Sequence, residues 1–280
     1  MKLHFTKMHG LGNDFMMLDQ TAQQLSLSPE QIQLLGDRHF GVGFDQLLMV
    51  LPAHDPHIDF EYRIFNVDGR EVEHCGNGAR CFARFVHDKG LTDRNPVRVK
   101  TVNRVLELTL QDDGQVTVDM GAPRTEPAQI PFRAEAPALH YQRTVEVCGK
   151  PLAVEFVTVS MGNPHAVIKV EDLDNTAVKD IGEALGAHPD FPEGTNVGFM
   201  QVLGRNHIRL RVFERGAGET LACGTGACAA VVAGCLSGEL DDTVTVNLTG
   251  GVLTIEWHGG EDSVKMTGPV TTVYEGILEL

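Results

Sequence analysis

The sequence lacks long apolar runs and clusters of basic residues. Its longest apolar stretch, residues 227–236, spans ten residues, whereas a membrane-spanning helix needs about 20. The net charge is −15, and no run of Lys or Arg is present that could hold a phosphate backbone. The N-terminal segment also lacks the uninterrupted apolar core of a signal peptide. We therefore expect no nucleic-acid or membrane partner, and we expect a cytoplasmic location.

Aromatic residues are scarce as well, at 6% of the chain, and prolines number 13, whereas glycines number 30. The glycine excess predicts tight turns and a backbone that approaches a ligand closely. The six cysteines include no Cys-x2-Cys pair, which a closed zinc site usually has. In a cytoplasmic protein, such cysteines are expected to be catalytic, metal-binding or inert rather than disulfide-bonded. The hydrophobic content of 42% and the charged content of 22% exclude a disordered or fibrous chain.

The chain repeats itself at an offset of about 150 residues. The strongest match is between residues 75–79, Cys-Gly-Asn-Gly-Ala, and residues 223–227, Cys-Gly-Thr-Gly-Ala. Weaker matches in the same order pair 12–13 with 162–163, 45–47 with 195–197, 63–65 with 211–213, and 120–123 with 266–269. Five ordered matches predict two similar halves with a junction near residue 122.

Each half reads as short strands joined by tight turns, with few helices. Alternating patterns predict strands at residues 61–65, 105–110, 115–120, 208–213, 243–248 and 252–257. Short connections between these segments favour mainly antiparallel sheets. The two most apolar helices follow the Cys-Gly-x-Gly motifs, and a nearly all-apolar helix is a buried one. We predict an α+β fold of two pseudo-symmetric domains, each a mainly antiparallel β-sheet wrapped around a buried central helix.

Two further helices are indicated by their end signals. Residues 28–31, Ser-Pro-Glu-Gln, form a capping box with Pro at the first helical position, and they open a helix that runs towards His39. The apolar spacing of Val178, Ile181 and Leu185 predicts a second helix, which Gly186 ends.

The two Cys-Gly-x-Gly motifs carry the chemistry of the sequence. Glycines let the backbone approach a ligand, and the first N–H groups of a helix, together with its dipole, bind an anion such as a carboxylate. The same field is expected to lower the pKa of the adjacent cysteine. Two such thiols suggest that one takes a proton from the carbon beside the carboxylate and the other returns a proton to the opposite face. No lysine lies in a recognisable cofactor context, so nothing in the sequence demands pyridoxal phosphate. We predict neither a cofactor nor a metal.

Three segments resemble the diaminopimelate epimerase family. They are residues 8–15 (Met-His-Gly-Leu-Gly-Asn-Asp-Phe), residues 66–81 (Asn-x-Asp-Gly through Cys-Gly-Asn-Gly-Ala-Arg-Cys) and residues 214–227. The resemblance spans the whole chain. It implies a cofactor-independent interconversion of LL- and meso-2,6-diaminopimelate in lysine and peptidoglycan precursor synthesis. The sequence departs from the family at Arg70, where Ser is usual, and at His74, where Gln is common; His74 is expected to influence the pKa of the cysteine that follows it.

The resemblance also implies roles for individual residues. Cys75 and Cys223 would form the acid–base pair on opposite sides of the α-carbon, in a cleft between the two domains, and His165 and Glu214 would tune the thiols. The expected substrate contacts are Asn13, Gln46, Asn66, Gly76, Asn77, Asn163, Asn196, Glu214, Arg215, Gly224 and Thr225. Backbone N–H groups at 76–77 and 224–225 would hold the reacting carboxylate, and the guanidinium of Arg215 would bind the distal one.

The expected domains are residues 1–122 and 123–267, and the family's last strand, here 268–280, returns to the first domain. Members of the family dimerise, so a homodimer is expected. The remaining cysteines have no repeat partner in the right context, and we expect them to pack as small hydrophobic residues. They are Cys81, Cys148, Cys228 and Cys235.

Several alternatives remain open from the sequence. Proline racemase and hydroxyproline epimerase also use two cysteines, but they bind a small ring, whereas Arg215 and several amides suit a longer substrate with a second charged end. The phenazine-type isomerases resemble the fold but lack the cysteine pair. A zinc-binding structural module would be recognised by metal analysis. A non-catalytic binding protein would bind diaminopimelate and leave its stereochemistry unchanged.

Overall fold

The computed structural model describes residues 2–23, 25–72 and 75–279. The chain divides into two compact units: unit 1 is Met1–Asp119 with Thr267–Leu280, and unit 2 is Met120–Met266. Strands β1 to β18, in chain order, are Lys2–Gly10, Asn13–Asp19, Gln46–Pro52, Phe60–Asn66, Glu71–Val72, Val97–Lys100, Val105–Leu110, Val116–Asp119, Tyr141–Val147, Lys150–Ser160, Pro164–Lys169, Asn196–Gly204, His207–Glu214, Gly218–Thr220, Thr243–Leu248, Gly251–Glu256, Lys265–Gly268 and Thr271–Glu279. Helices α1 to α4 are Pro29–Gly36, Gly76–Asp88, Val178–Gly186 and Gly224–Leu236, and a short 3-10 helix spans Pro127–Gln129.

The sheet of unit 1 is mainly antiparallel. Strand β1 pairs antiparallel with both β18 and β2. Strand β2 then pairs parallel with β3 across the connection that contains α1, and β3 pairs antiparallel with β4. Strand β4 pairs parallel with β6 across the connection that contains α2, and β6 and β7 are antiparallel neighbours. Parallel pairs need such long crossovers, which explains why each one encloses a helix.

Unit 2 repeats this order of pairings. Strand β10 pairs antiparallel with β9 and β11, β11 pairs parallel with β12 across α3, and β12 pairs antiparallel with β13. Strand β13 then pairs parallel with β15 across α4, and β15 pairs antiparallel with β16. The predicted α+β fold of two similar halves, each with a mainly antiparallel sheet, is confirmed.

The central helix of each unit is buried by the sheet around it. Helix α2 contacts β1, β2, β3, β7 and β8, and helix α4 contacts β10, β11, β12, β13 and β16. Their apolar side chains explain this placement, because Phe82 and Val86 of α2 and Ala230 and Val231 of α4 are inaccessible to solvent. Each 13-residue helix begins directly after its motif cysteine.

The local helix predictions hold with one correction. Helix α1 has the predicted capping box, in which Ser28 accepts from the backbone N–H of Gln31 while the Gln31 side chain accepts from the Ser28 N–H. The prediction that this helix runs towards His39 is wrong, because it ends at Gly36. The carboxylate of Asp37 accepts from the next backbone N–H groups, at His39 and Phe40, and this turn competes with further helical bonds.

The predicted packing of the four other cysteines is only partly correct. Cys81 and Cys228 are buried, and Cys235 is half-buried. Cys148, however, is exposed. It forms a two-residue turn with Gly149 between β9 and β10, and both residues have positive φ angles, of 51° and 73°. A side chain at the tip of such a hairpin has no core to enter.

Candidate active site

Each motif cysteine lies at the N-terminal end of a central helix. Cys75 is the N-cap of α2 and Cys223 is the N-cap of α4, and both have extended backbones, with φ angles of −138° and −116°. Within the described part of the chain, neither cysteine side chain caps its own helix. Both thiols therefore adjoin the partial positive charge of a helix N-terminus.

In unit 1 the amides predicted to contact substrate surround Cys75. A two-residue turn, in which Leu11 and Gly12 have positive φ angles of 56° and 87°, brings Asn13 to the start of β2. The Cys75 thiol donates to Asn13 Oδ1 at 3.5 Å, and Asn77 Nδ2 donates to the same oxygen at 3.2 Å. Unit 1 thus brings two of the predicted contact residues, Asn13 and Asn77, close to the Cys75 thiol.

Two more predicted contacts of unit 1 face each other across neighbouring strands. The register of β3 and β4 pairs Gln46 with Asn66. Gln46 Nε2 donates to Asn66 Oδ1 at 2.9 Å. Both side chains are half-buried. Each amide keeps further donor or acceptor capacity for a polar ligand.

Unit 2 holds a similar group around Cys223. Asn163 Nδ2 donates to Thr225 Oγ1 at 3.3 Å, and Thr225 Oγ1 lies 3.6 Å from the Cys223 sulfur. Asn163 Oδ1 lies 3.1 Å from His165 Nε2. Asn163 and Thr225 occupy the positions that match Asn13 and Asn77, so both halves of the repeat join an asparagine amide to the second residue of the central helix.

Arg215 projects from a backbone that Asn196 holds. Asn196 Oδ1 accepts from the Arg215 backbone N–H at 2.9 Å, and Asn196 Nδ2 donates to the carbonyl of Pro164 at 3.2 Å. The guanidinium of Arg215 donates to the carbonyl of Glu193 at 2.7 Å. Asn196 is buried whereas Arg215 is exposed, so the buried amide anchors a charged side chain that solutes can reach.

The electrostatics of Cys223 contradict one expectation. The helix N-terminus was expected to lower the pKa of the thiol, but burial and the negative charge of Glu214 together raise the pKa of Cys223 well above its ordinary value. The hydrogen bond with Thr225 acts in the opposite direction and is outweighed. Thr220 Oγ1 donates to the Glu214 carboxylate and fixes it. The resting form of Cys223 is therefore the protonated thiol.

His165 is a neutral residue in this fold. Burial, followed by the positive charge of Arg215, lowers the pKa of His165 to about 3. Its Nδ1 atom is buried and has no hydrogen-bond partner among the described residues. A neutral imidazole supplies no positive charge that could stabilise a thiolate.

The sequence-based prediction gave no role to three residues that lie close to the site. Asp45 accepts from Asn13 Nδ2 at 3.0 Å, Arg80 donates to the Asn77 side chain at 3.0 Å, and Thr220 bonds to Glu214. The sequence could have pointed to Asp45 and Arg80, because each is charged where the other half of the repeat has an uncharged residue. The matching residues are Thr195 and Cys228. Thr220 had no such signal.

The sequence departs from the family pattern at Arg70 and His74, and the structure describes only Arg70. Arg70 is exposed, and its guanidinium lies 3.6 Å from Asp68 in a surface ion pair. His74 lies outside the described residues.

No helix in the described segments combines the length and apolar character of a membrane span. Those segments also contain no group of three or more His, Cys, Asp or Glu side chains that could hold a metal ion.

Solved structures share the fold at low sequence identity. A hydroxyproline epimerase from Agrobacterium vitis matches 99% of this chain and 92% of its own with a TM-score of 0.70 and 18% identity. A phenazine biosynthesis protein from Bacillus anthracis matches 100% of both chains with a TM-score of 0.69 and 16% identity. These similarities show the fold alone.

Similarity in sequence is much higher to curated diaminopimelate epimerases. That of Cupriavidus taiwanensis is 58% identical over 100% of this chain and 98% of its own, and that of Ectopseudomonas mendocina is 58% identical over 100% of both. An epimerase is an isomerase, and the chain is an enzyme of that class. The family model for diaminopimelate epimerase matches residues 5–126 and 157–273. The chain belongs to the diaminopimelate epimerase family.

Proposed function

We propose that this protein interconverts LL- and meso-2,6-diaminopimelate without a cofactor, using Cys75 and Cys223 as its two acid–base groups. The observation that carries the proposal is the placement of these two cysteines. Each is the N-cap of the buried central helix in one of two units with the same strand order. Membership of the family supports the choice of substrate.

The proposed reaction is a two-base proton transfer. One cysteine, as thiolate, removes the proton from the α-carbon and becomes a thiol, which leaves a carbanion on the substrate. The other cysteine, as thiol, donates its proton to the opposite face of that carbon and becomes a thiolate. One C–H bond breaks and one forms, so no redox partner is required. The active enzyme must hold one thiol and one thiolate, which predicts a bell-shaped pH profile.

The substrate contacts follow from the chemistry of the site residues. The N-terminal ends of α2 and α4, at residues 76–77 and 224–225, are suited to the reacting carboxylate, because helix N-termini bind anions. The amides of Asn13, Asn66 and Asn163 can donate to and accept from a zwitterionic centre without adding charge. We assign Arg215 to the distal carboxylate, which its exposed guanidinium can reach.

The protonation state of the thiols also depends on neighbouring groups. Glu214 is a negative charge beside the Cys223 thiol, and it therefore favours the proton donor at that position. His165 is neutral and has a buried ring nitrogen, Nδ1, without a partner among the described residues. We assign both to the tuning of the thiols, His165 as a neutral hydrogen-bonding group and Glu214 as a charge.

The test is incubation of the purified protein with LL-diaminopimelate in deuterated water, without added cofactor. We expect the meso isomer to form and deuterium to enter at the α-carbon in the same period. L-Proline and trans-4-hydroxy-L-proline serve as comparison substrates and are expected to remain unchanged. Binding of diaminopimelate without deuterium exchange would identify a binding protein, and exchange on proline alone would identify a racemase of another substrate class.

We also assign a homodimer, supported by exposed apolar side chains on strand β18. The side chains of Val273, Tyr274 and Ile277 on this strand are apolar and are 53%, 44% and 58% exposed. Exposed apolar groups on one strand are typical of an interface. Sedimentation of wild type and Ile277→Asp tests this, since the variant should sediment as the monomer. A cytoplasmic location, where thiols are kept reduced, also suits a reaction that uses two cysteines as thiol and thiolate.

A further inference from the structure

The side-chain amides of Asn13 and Asn77 form a continuous chain of hydrogen bonds in unit 1. Arg80 Nη2 donates to Asn77 Oδ1 at 3.0 Å. Asn77 Nδ2 donates to Asn13 Oδ1 at 3.2 Å, and Asn13 Nδ2 donates to Asp45 Oδ2 at 3.0 Å. All four residues thus follow one direction of donation, from a guanidinium at one end to a carboxylate at the other.

The two ends of this chain determine the orientation of the amides between them. A guanidinium can only donate and a carboxylate can only accept. An asparagine side chain has an oxygen that accepts and an NH₂ group that donates, and a half-turn of the amide exchanges the places of the two. Bonds to charged groups are also the stronger ones. Rotation of Asn13 would place its oxygen against the Asp45 carboxylate, and rotation of Asn77 would place its NH₂ group against Arg80. Both rotated states are repulsive.

The orientation matters because Asn13 Oδ1 faces the catalytic thiol. Cys75 Sγ donates to this oxygen at 3.5 Å. A carbonyl oxygen next to the sulfur stabilises the thiol, whereas an NH₂ group in the same place would stabilise the thiolate. Which end of Asn13 faces Cys75 therefore changes the proton affinity of the sulfur.

The burial of the chain indicates that this arrangement is specific. Arg80 is inaccessible to solvent and Asn77 is 3% exposed, and a buried cation needs compensating partners. In unit 2 the matching positions hold Thr195 and Cys228. Asn163 there bonds to two neutral side chains, Thr225 and His165. The charged ends are a property of unit 1.

We propose that Asp45 and Arg80 are positioning residues that lock the amides of Asn13 and Asn77 in one orientation and so hold a carbonyl oxygen, not an NH₂ group, against the Cys75 thiol. The effect on the reactivity of Cys75 stands by itself. The consequence for catalysis rests on the proposed function of Cys75.

The experiment measures alkylation of Cys75 and Cys223 by iodoacetamide in the same sample, with peptide mass spectrometry and at one slightly alkaline pH. In Asp45→Ala, Asn13 is free to rotate. We expect the ratio of the Cys75 rate to the Cys223 rate to rise about threefold, as a half-unit fall in thiol pKa would produce. Diaminopimelate kcat/KM should fall about tenfold, because the site loses its fixed geometry.

Two matched variants separate the lock from simple charge effects. Asp45→Asn removes the charge but keeps an oxygen that can accept from Asn13. The backbone N–H of Asp14, which donates to the same oxygen in the wild type at 3.1 Å, holds that oxygen in place, so the variant should keep the wild-type alkylation ratio. Arg38→Ala removes the ion pair that Arg38 makes with Asp45 at 2.7 Å and leaves the bond to Asn13, so it should also resemble wild type. Among the described residues, Tyr62 and Cys81 are titratable groups that interact electrostatically with Cys75, and they are the same in every variant.

The inference is overturned if Asp45→Ala leaves the alkylation ratio unchanged, or if Asp45→Asn or Arg38→Ala changes it as much as Asp45→Ala does. Arg80→Met frees the Asn77 amide but leaves Asn13 bonded to Asp45, so it should change the alkylation ratio less than Asp45→Ala does. If circular dichroism shows that Arg80→Met does not fold, the half-exposed Asp45 decides the question alone. If wild type fails to epimerise diaminopimelate, the proposed function fails, while the alkylation ratio still tests the lock.

Discussion

The thiol of Cys223 is buried beside the carboxylate of Glu214, and burial and charge together hold the pKa of the thiol well above its ordinary value. Glu214→Gln removes the charge and keeps the shape. We therefore expect the pKa of Cys223 to fall and its alkylation by iodoacetamide to accelerate about threefold or more at slightly alkaline pH. Glu239→Gln, which breaks a surface ion pair with Lys169, is the control. An unchanged Cys223 rate in Glu214→Gln would show that the charge does not act on the sulfur.

The second prediction concerns the two motif cysteines themselves. Cys75→Ala and Cys223→Ala should each abolish epimerisation while circular dichroism shows an intact fold, because each face of the α-carbon needs its own proton carrier. Cys148→Ala should remain fully active, since Cys148 lies exposed at a hairpin turn, and Cys235→Ala should remain active as well. The two-thiol assignment fails if either motif variant keeps more than about a few per cent of wild-type turnover.

Arg215 is the basis of the third prediction. Arg215→Ala should raise KM for diaminopimelate and lower kcat/KM, because the guanidinium is assigned to the distal carboxylate and a misplaced distal end also displaces the reacting carbon. Since the side chain is exposed, we expect kcat/KM to fall about tenfold. This is a smaller loss than the several kcal/mol that are typical of buried charge pairs. Arg209→Ala, which removes a surface ion pair with Asp174, should leave both constants unchanged. Equal kinetics in the two variants would remove Arg215 from the site.

Local patterns predicted much of the fold. The alternating segments Val105–Leu110 and Thr243–Leu248 are strands with the predicted bounds, and the central helices begin at the motif glycines. The parallel pairings that place α1 and α3 were not predicted from these patterns. Asp45 shows why the site was incompletely predicted. Its bond to Asn13 joins residues 32 positions apart, and it exists only because β2 and β3 pair in parallel.

The fourth prediction tests the packing of the central helix in unit 2. A methyl group added at Gly234 would lie 2.3 Å from Leu240 Cδ1, and Leu240 is 4% exposed. Gly234→Ala should therefore lower the free energy of unfolding by about 1–3 kcal/mol, even though alanine favours helices. In the double variant with Leu240→Ala the clash is relieved, so the two effects should not add in denaturant titrations. Simple additivity would show that Gly234 is not required by this contact.

The pH dependence of stability gives the last prediction, and it depends on His165. Burial, with the charge of Arg215, lowers the pKa of His165 from its ordinary value of 6.5 to about 3 in the folded protein. Between these two values the unfolded chain binds a proton that the folded chain does not. Stability therefore falls as the pH drops below about 6.5, and the loss is complete near pH 3.

At a pH two units below the ordinary pKa of 6.5, His165 should lower the free energy of unfolding by about 2–3 kcal/mol relative to neutral pH. His165→Gln, which cannot titrate, should flatten the acid side of the stability curve by that amount in urea titrations. His258→Asn is the opposite control. Hydrogen bonds with Asp242 and Glu256 raise the pKa of His258, so its stabilising contribution is lost as the pH rises through that raised pKa, and not as the pH falls. An acid limb of unchanged slope in His165→Gln would mean that folding does not lower the pKa of His165, and the assignment of a neutral imidazole would then fail.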